Sequence, residues 1–153
     1  MNLTTNSTDE FIITFFENNI EWISELDVEG KWQIGATTEN DCLRYSVADD
    51  KTPMGINSAL HCIAINVEQC NHYGLTDNMK TAMLYHEIGH VIYPVVKSPD
   101  EDEQTYSLRK EMAADQLAIE RGFGEALRNG LQHLVDSGDF ENGDMISRID
   151  RLR

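Results

Sequence analysis

Cysteine, proline and positive charge are all scarce in this sequence. Three cysteines occur in 153 residues, Cys42, Cys62 and Cys70, an odd number with no Cys-x-x-Cys pair. That spacing argues against a disulfide framework and against a zinc ribbon, and it fits a reducing compartment. Only three prolines are present, with no internal repeat and no low-complexity tract. No apolar run approaches the ~20 residues a membrane span needs, and the opening MNLTTNSTDE lacks a basic segment followed by an apolar one. A cytoplasmic location is therefore expected, or action wherever the host cell's cytoplasm is released. Lys and Arg number 12 against 27 Asp and Glu, a formal charge of −15. So acidic a chain is repelled by nucleic-acid backbones and anionic membranes, so neither is an expected partner.

What is present suits one folded domain, residues 1–153, with a single core. An apolar fraction of 41% and a charged fraction of 25% are those of a globular protein. Ser7-Thr8-Asp9-Glu10, after a short polar leader, reads as a helix start. Phe11, Ile12, Phe15, Phe16, Ile20, Ile23 and Leu26 then recur at three-and-four spacing, predicting a helix over 9–26. Residues 31–66 read as β structure. Lys31–Ala36 and Cys42–Val47 are short candidates, Ala59–Val67 is the strongest, and Ala48–Asn57 reads as an exposed turn-rich loop. Thr76-Asp77 caps a helix that ends near Pro94. An acidic loop, Ser98–Glu103, leads to a helix over Thr105–Arg121, and two more follow over 123–136 and 144–152. The expected class is α+β: an N-terminal helix and small antiparallel or mixed sheet over about 9–67, two central helices over about 76–121 and a helical end over about 123–153.

The chemistry is concentrated in Tyr85-His86-Glu87-Ile88-Gly89-His90. On a helix, residues four apart stand one turn above each other, so both imidazoles can face one metal ion. Glu87 adjoins the first ligand and is placed to handle the proton of an activated water. Catalytic zinc commonly takes three protein ligands and keeps one position open. The third is expected from Glu111-Met112-Ala113-Ala114-Asp115, twenty-one residues after His90 on the next helix. Glu111 can bind the metal there, and Asp115, one turn on, can accept the other ring N–H of a ligand histidine. Ala114, Ala118 and, from the other side, Gly89 let the two helices approach closely.

HEIGH followed by EMAAD resembles the gluzincin branch of zinc peptidases. The likeness is to the soluble ImmA/IrrE-type peptidases more than to the membrane-embedded enzymes that trim prenylated proteins. It covers roughly residues 80–120. Ser147–Leu152 is also similar to a short C-terminal Arg-Ile motif of the membrane group. The resemblance implies a zincin-like fold, Zn²⁺ as cofactor and a protein or peptide substrate cleaved by a metal-activated water. It implies His86, His90 and Glu111 as ligands, Glu87 as general base and acid, and Asp115 as the residue orienting a ligand. Gluzincins also use a Tyr, His or Arg to stabilise the oxyanion. Tyr93, Tyr106, His133 and Arg148 are the candidates, His133 first among them. In this class the substrate joins the edge of the sheet beside the active-site helix, for which Ala59–Val67 is the natural candidate. The acidic loop suits a basic substrate.

His61 reads as a half-buried structural histidine, His72 as a loop residue, and Met54, Met79, Met83 and Met112 as core filler. Two other functions compete. One is a non-catalytic zinc-binding protein, which gives no reason for Glu87. The other is an acidic decoy that mimics nucleic acid, against which the acids are scattered along the chain rather than forming a stripe.

Overall fold

The computed structural model describes residues 1–47, 49–140 and 143–153, and among these the chain is α+β, with seven helices and a small four-stranded mixed sheet. It divides into two units, Met1–His72 and Tyr73–Arg153.

In the first unit, strand β1 (Leu3–Thr4) precedes helix α1 (Glu10–Glu25). The Asp9 side chain caps α1 by accepting from the Ile12 N–H at 3.2 Å. The buried stripe of α1 is Ile12, Phe15, Phe16, Asn19 and Ile23. Ile20, expected inside, is 42% exposed. Asn19 takes the inward place by donating to the Phe15 carbonyl and accepting from the Trp22 indole, so its amide is satisfied where it is buried. The supposed polar leader contains β1, which pairs parallel to β2 (Trp32–Ala36) and fully buries Leu3.

Expectations for residues 42–72 change at four places. Cys42–Val47 is not a strand: α2 (Asp41–Arg44) forms because the Asn40 side chain accepts from the Leu43 N–H at 3.0 Å. The loop expected over Ala48–Asn57 includes β3 (Met54–Asn57), antiparallel to β4 (Cys62–Ile65); residue 48 lies outside the described residues. Gly55 permits this strand, since any Cβ there would run into the Ser46 carbonyl. Ala59–Val67 supplies no sheet edge. Sheet order is β1-β2-β4-β3, so β4 is interior, parallel to β2 on one side and paired with β3 on the other. Its four residues are all buried, as a strand covered on both faces requires. Val67 and His72, expected in a strand and a loop, begin and end α3 (Val67–His72), where the Asn66 side chain accepts from the Gln69 N–H.

His61 is half-buried and stacks on Trp32 with ring centroids 4.8 Å apart. It has a positive φ of 51°, and its ring lies where a side chain on Gly30 would stand. Cys42 of α2 meets Cys62 of β4 beside Leu43 and Ala64, with the two sulfurs 2.6 Å apart. Their spacing of twenty residues gave no sign of this.

The second unit is helical: α4 (Asp77–Ile92), α5 (Glu103–Glu120), α6 (Gly124–Ser137) and α7 (Gly143–Arg151). Thr76 and Asp102 cap α4 and α5 by accepting from the N–H groups of Met79 and Thr105. The Asp102 cap starts α5 two residues before the expected Thr105. Gly122, at φ 84°, provides the left-handed residue that stops it. Helix α4 packs against α5 and α6, and α7 against α5 and α6. Met79 and Met83 are buried here, as Met54 is in the first unit, whereas Met112 lines a groove described below. Among the described residues, no helix is long and apolar enough to cross a membrane.

Candidate metal centre

His86 and His90 occupy the last two turns of α4, with ring centroids 4.7 Å apart and planes at 81°. Glu111 reaches them from α5. Its Oε2 lies 3.0 Å from His86 Nε2 and its Oε1 3.5 Å from His90 Nε2. The three side chains offer ligand atoms all within 4.8 Å of one another, a group that can hold a metal ion. The donor set fits one. Two atoms each ~2.0–2.1 Å from a tetrahedral ion stand roughly 3.4 Å apart, and each imidazole Nε2 lies near that separation from a different oxygen of Glu111.

Close approach of the two helices makes this possible. A Cβ on Gly89 would collide with the Ala114 carbonyl, and Ala114 and Ala118 are fully buried. Gly89→Ala is therefore expected to force α4 and α5 apart. Overpacking of this kind costs about 1–3 kcal/mol, and the shift carries Glu111 away from the histidines. Chemical denaturation together with zinc titration checks both effects. Unchanged values would show that the contact does not set the site.

Behind the ligands is a buried ionic group. His86 Nδ1 lies 2.7 Å from Asp115 Oδ1, so the ring presents Nε2 toward Glu111 and His90. Arg148 of α7 grips Asp115 with both sides of its guanidinium, Nε to Oδ2 at 2.9 Å and Nη2 to Oδ1 at 2.7 Å. Its Nη1 is 3.6 Å from Glu111 Oε2. Burial alone would raise the Asp115 pKa, but hydrogen bonds from His86 and Arg148 hold it below the usual carboxylate range. Glu111 is likewise lowered: its burial is outweighed by the two histidines. His86 moves the other way. Burial and Arg148 disfavour its charge, yet the hydrogen bonds to Asp115 and Glu111 raise its pKa to about 9. A proton and a metal ion thus compete for the same nitrogen, so metal binding displaces a proton and weakens in acid. Glu87 is half-buried beside His86, and burial pushes its pKa up against the pull of His86 and His90.

Of the four oxyanion candidates, Arg148 is the one bonded to this cluster, and there it serves Asp115 and Glu111. The Tyr93 hydroxyl donates to Glu120 at 2.6 Å and that of Tyr106 to the Val95 carbonyl. The structure does not bring the first choice, His133, to the ligands. Its Nδ1 is 3.0 Å from the Tyr73 carbonyl, ahead of the start of α4, and from Asp77 to His86 the helix axis runs about 14 Å. His133 thus bonds to the segment before α4, whereas Glu111, Asp115 and Arg148 bond to the ligand histidine His86 or to one another. The sequence signal for Arg148 was the short resemblance over Ser147–Leu152; its burial next to Ile149 is set by the packing of α7.

A groove of about 630 Å³ opens along α5, lined by Tyr93, Leu108, Arg109, Met112 and Arg151 among others. Met112 follows Glu111 directly, and Tyr93 lies three residues beyond His90. Comparison with protein-family models, with curated proteins and with solved structures finds no match to this chain.

Proposed function

We propose that this chain is a zinc-dependent peptidase of gluzincin type, with a zincin-like active-site arrangement, cleaving a protein of its own, cytoplasmic compartment. The observation that carries the reading is the convergence of His86, His90 and Glu111 from two helices, with the intact Glu87 beside them. A three-ligand N/O set is the donor chemistry of catalytic zinc, and it leaves a position for a reactant. The ion would be held by His86 Nε2, His90 Nε2 and the Glu111 carboxylate, and it would supply a Lewis acid and an acidified water.

The remaining work falls to the protein. Glu87 takes the proton of the attacking water and passes it to the departing amide nitrogen, a role its raised pKa suits. Asp115 fixes the tautomer and orientation of His86, and Arg148 keeps Asp115 ionised and in place.

Metal analysis with an activity assay tests this. Purified protein is expected to carry one zinc per chain and to hydrolyse a labelled unfolded protein. Chelation should stop hydrolysis and zinc restore it. Glu111→Gln is expected to lose more zinc affinity than the ~10–100-fold caused by loss of an outer hydrogen-bond partner. A chain that takes up no divalent metal at saturating zinc would end the proposal.

A further inference from the structure

We propose that Cys42 and Cys62 form a reversible disulfide site, closed by hydrogen peroxide, in the first unit and independent of the metal centre. Their sulfurs are 2.6 Å apart, about 0.6 Å beyond the ~2.05 Å of a disulfide bond. Both backbones are fixed: Cys62 belongs to the interior strand β4, and Cys42 lies in the first turn of the Asn40-capped α2. Bond formation therefore needs a side-chain adjustment and no rearrangement of the fold. Accessibility differs between the two. Cys42 is half-buried, whereas Cys62 is 2% exposed. Cys70 is also buried, with its sulfur directed to the Pro53 carbonyl at 3.5 Å.

That asymmetry sets the order of events. The Cys42 sulfur attacks the peroxide oxygen, the O–O bond breaks, and water leaves behind a sulfenic acid. The Cys62 sulfur then attacks Cys42, the S–O bond breaks, and a second water departs. Two sulfurs lose two electrons and two protons in all, and the peroxide takes up both. Reversal requires an external thiol to attack the accessible Cys42 sulfur and expel Cys62, and a second thiol to attack the first and release Cys42, leaving the external disulfide. In the reduced pair, burial and the hydrogen bond with Cys42 raise the Cys62 pKa to about 11, which slows its attack on Cys42 in closure, and burial likewise makes it a poor leaving group in reversal. Closure ties α2 covalently to the middle of the sheet.

The test uses the reduced full chain treated with hydrogen peroxide, then alkylated and mapped by mass spectrometry. The expected product is a monomer two hydrogens lighter, with Cys42 and Cys62 peptides linked and Cys70 still alkylated. Cys70→Ser should retain the link, and Cys42→Ser and Cys62→Ser should each abolish it. Oxygen uptake at Cys42 without a link, a link between chains, or a link to Cys70 would each overturn the assignment.

Discussion

Glu87→Gln is expected to reduce hydrolysis by about 10²–10⁴-fold, the usual contribution of a positioned general base. Glutamine keeps the shape and loses the proton acceptor. Zinc content should stay at one per chain, because the ligand atoms belong to His86, His90 and Glu111. Stability of the metal-free protein should not fall either. A carboxylate whose folded pKa is raised weakens the fold at pH values above its ordinary range, where it must be held ionised. A neutral amide at the same place removes that cost. Loss of rate with intact metal and fold separates a reacting group from a structural one. Undiminished hydrolysis by the glutamine variant would remove Glu87 from the mechanism, and absence of hydrolysis from the parent protein would leave a non-catalytic zinc site.

The second large effect is on stability. Arg148→Met removes the cation that holds Asp115, a residue with no solvent exposure. Breaking a buried ion pair from one side typically costs about 3–5 kcal/mol; here Asp115 keeps its hydrogen bond with His86 but loses its permanent cation. For a chain of this size, thermal unfolding should then shift down by roughly 6–20 °C. Pairing the change with Asp115→Leu should restore much of the loss, because no charge is left stranded. Dependence on pH follows from the sign of the shift. The folded pKa of Asp115 is lowered, so its contribution is complete above the ordinary carboxylate range and is lost as pH falls below it. The difference between parent and Arg148→Met should accordingly shrink in acid. Denaturation midpoints across pH measure this, and a constant difference would show that Asp115 is not the group left unpaired.

Helices were the part of the fold most readily read. Thr76 before α4, Asp9 before α1 and the apolar periodicity between caps are local signals, because a cap and a buried stripe need only neighbours within a few residues. The segment from 41 to 66 resisted for the opposite reason. Cys42–Val47 alternates as a strand would, but Asn40 completes a helical cap, and one side-chain hydrogen bond outweighs the alternation. Met54–Asn57 carries turn residues yet becomes a strand through long-range pairing with Cys62–Ile65, which no local pattern encodes.

From the sequence alone came the i,i+4 histidines with a glutamate between them, and a distant Glu and Asp one turn apart. Those relations are set by the helical repeat and need no knowledge of the rest of the chain. Which groups meet across elements was decided only in three dimensions. The crossing of α4 and α5 at Gly89 and Ala114 carries Glu111 to the histidines, and the docking of α7 turns Arg148 inward onto Asp115 instead of His133 toward the ligands. Helical spacing acts within one element, whereas the choice of a buried partner depends on which helices pack together.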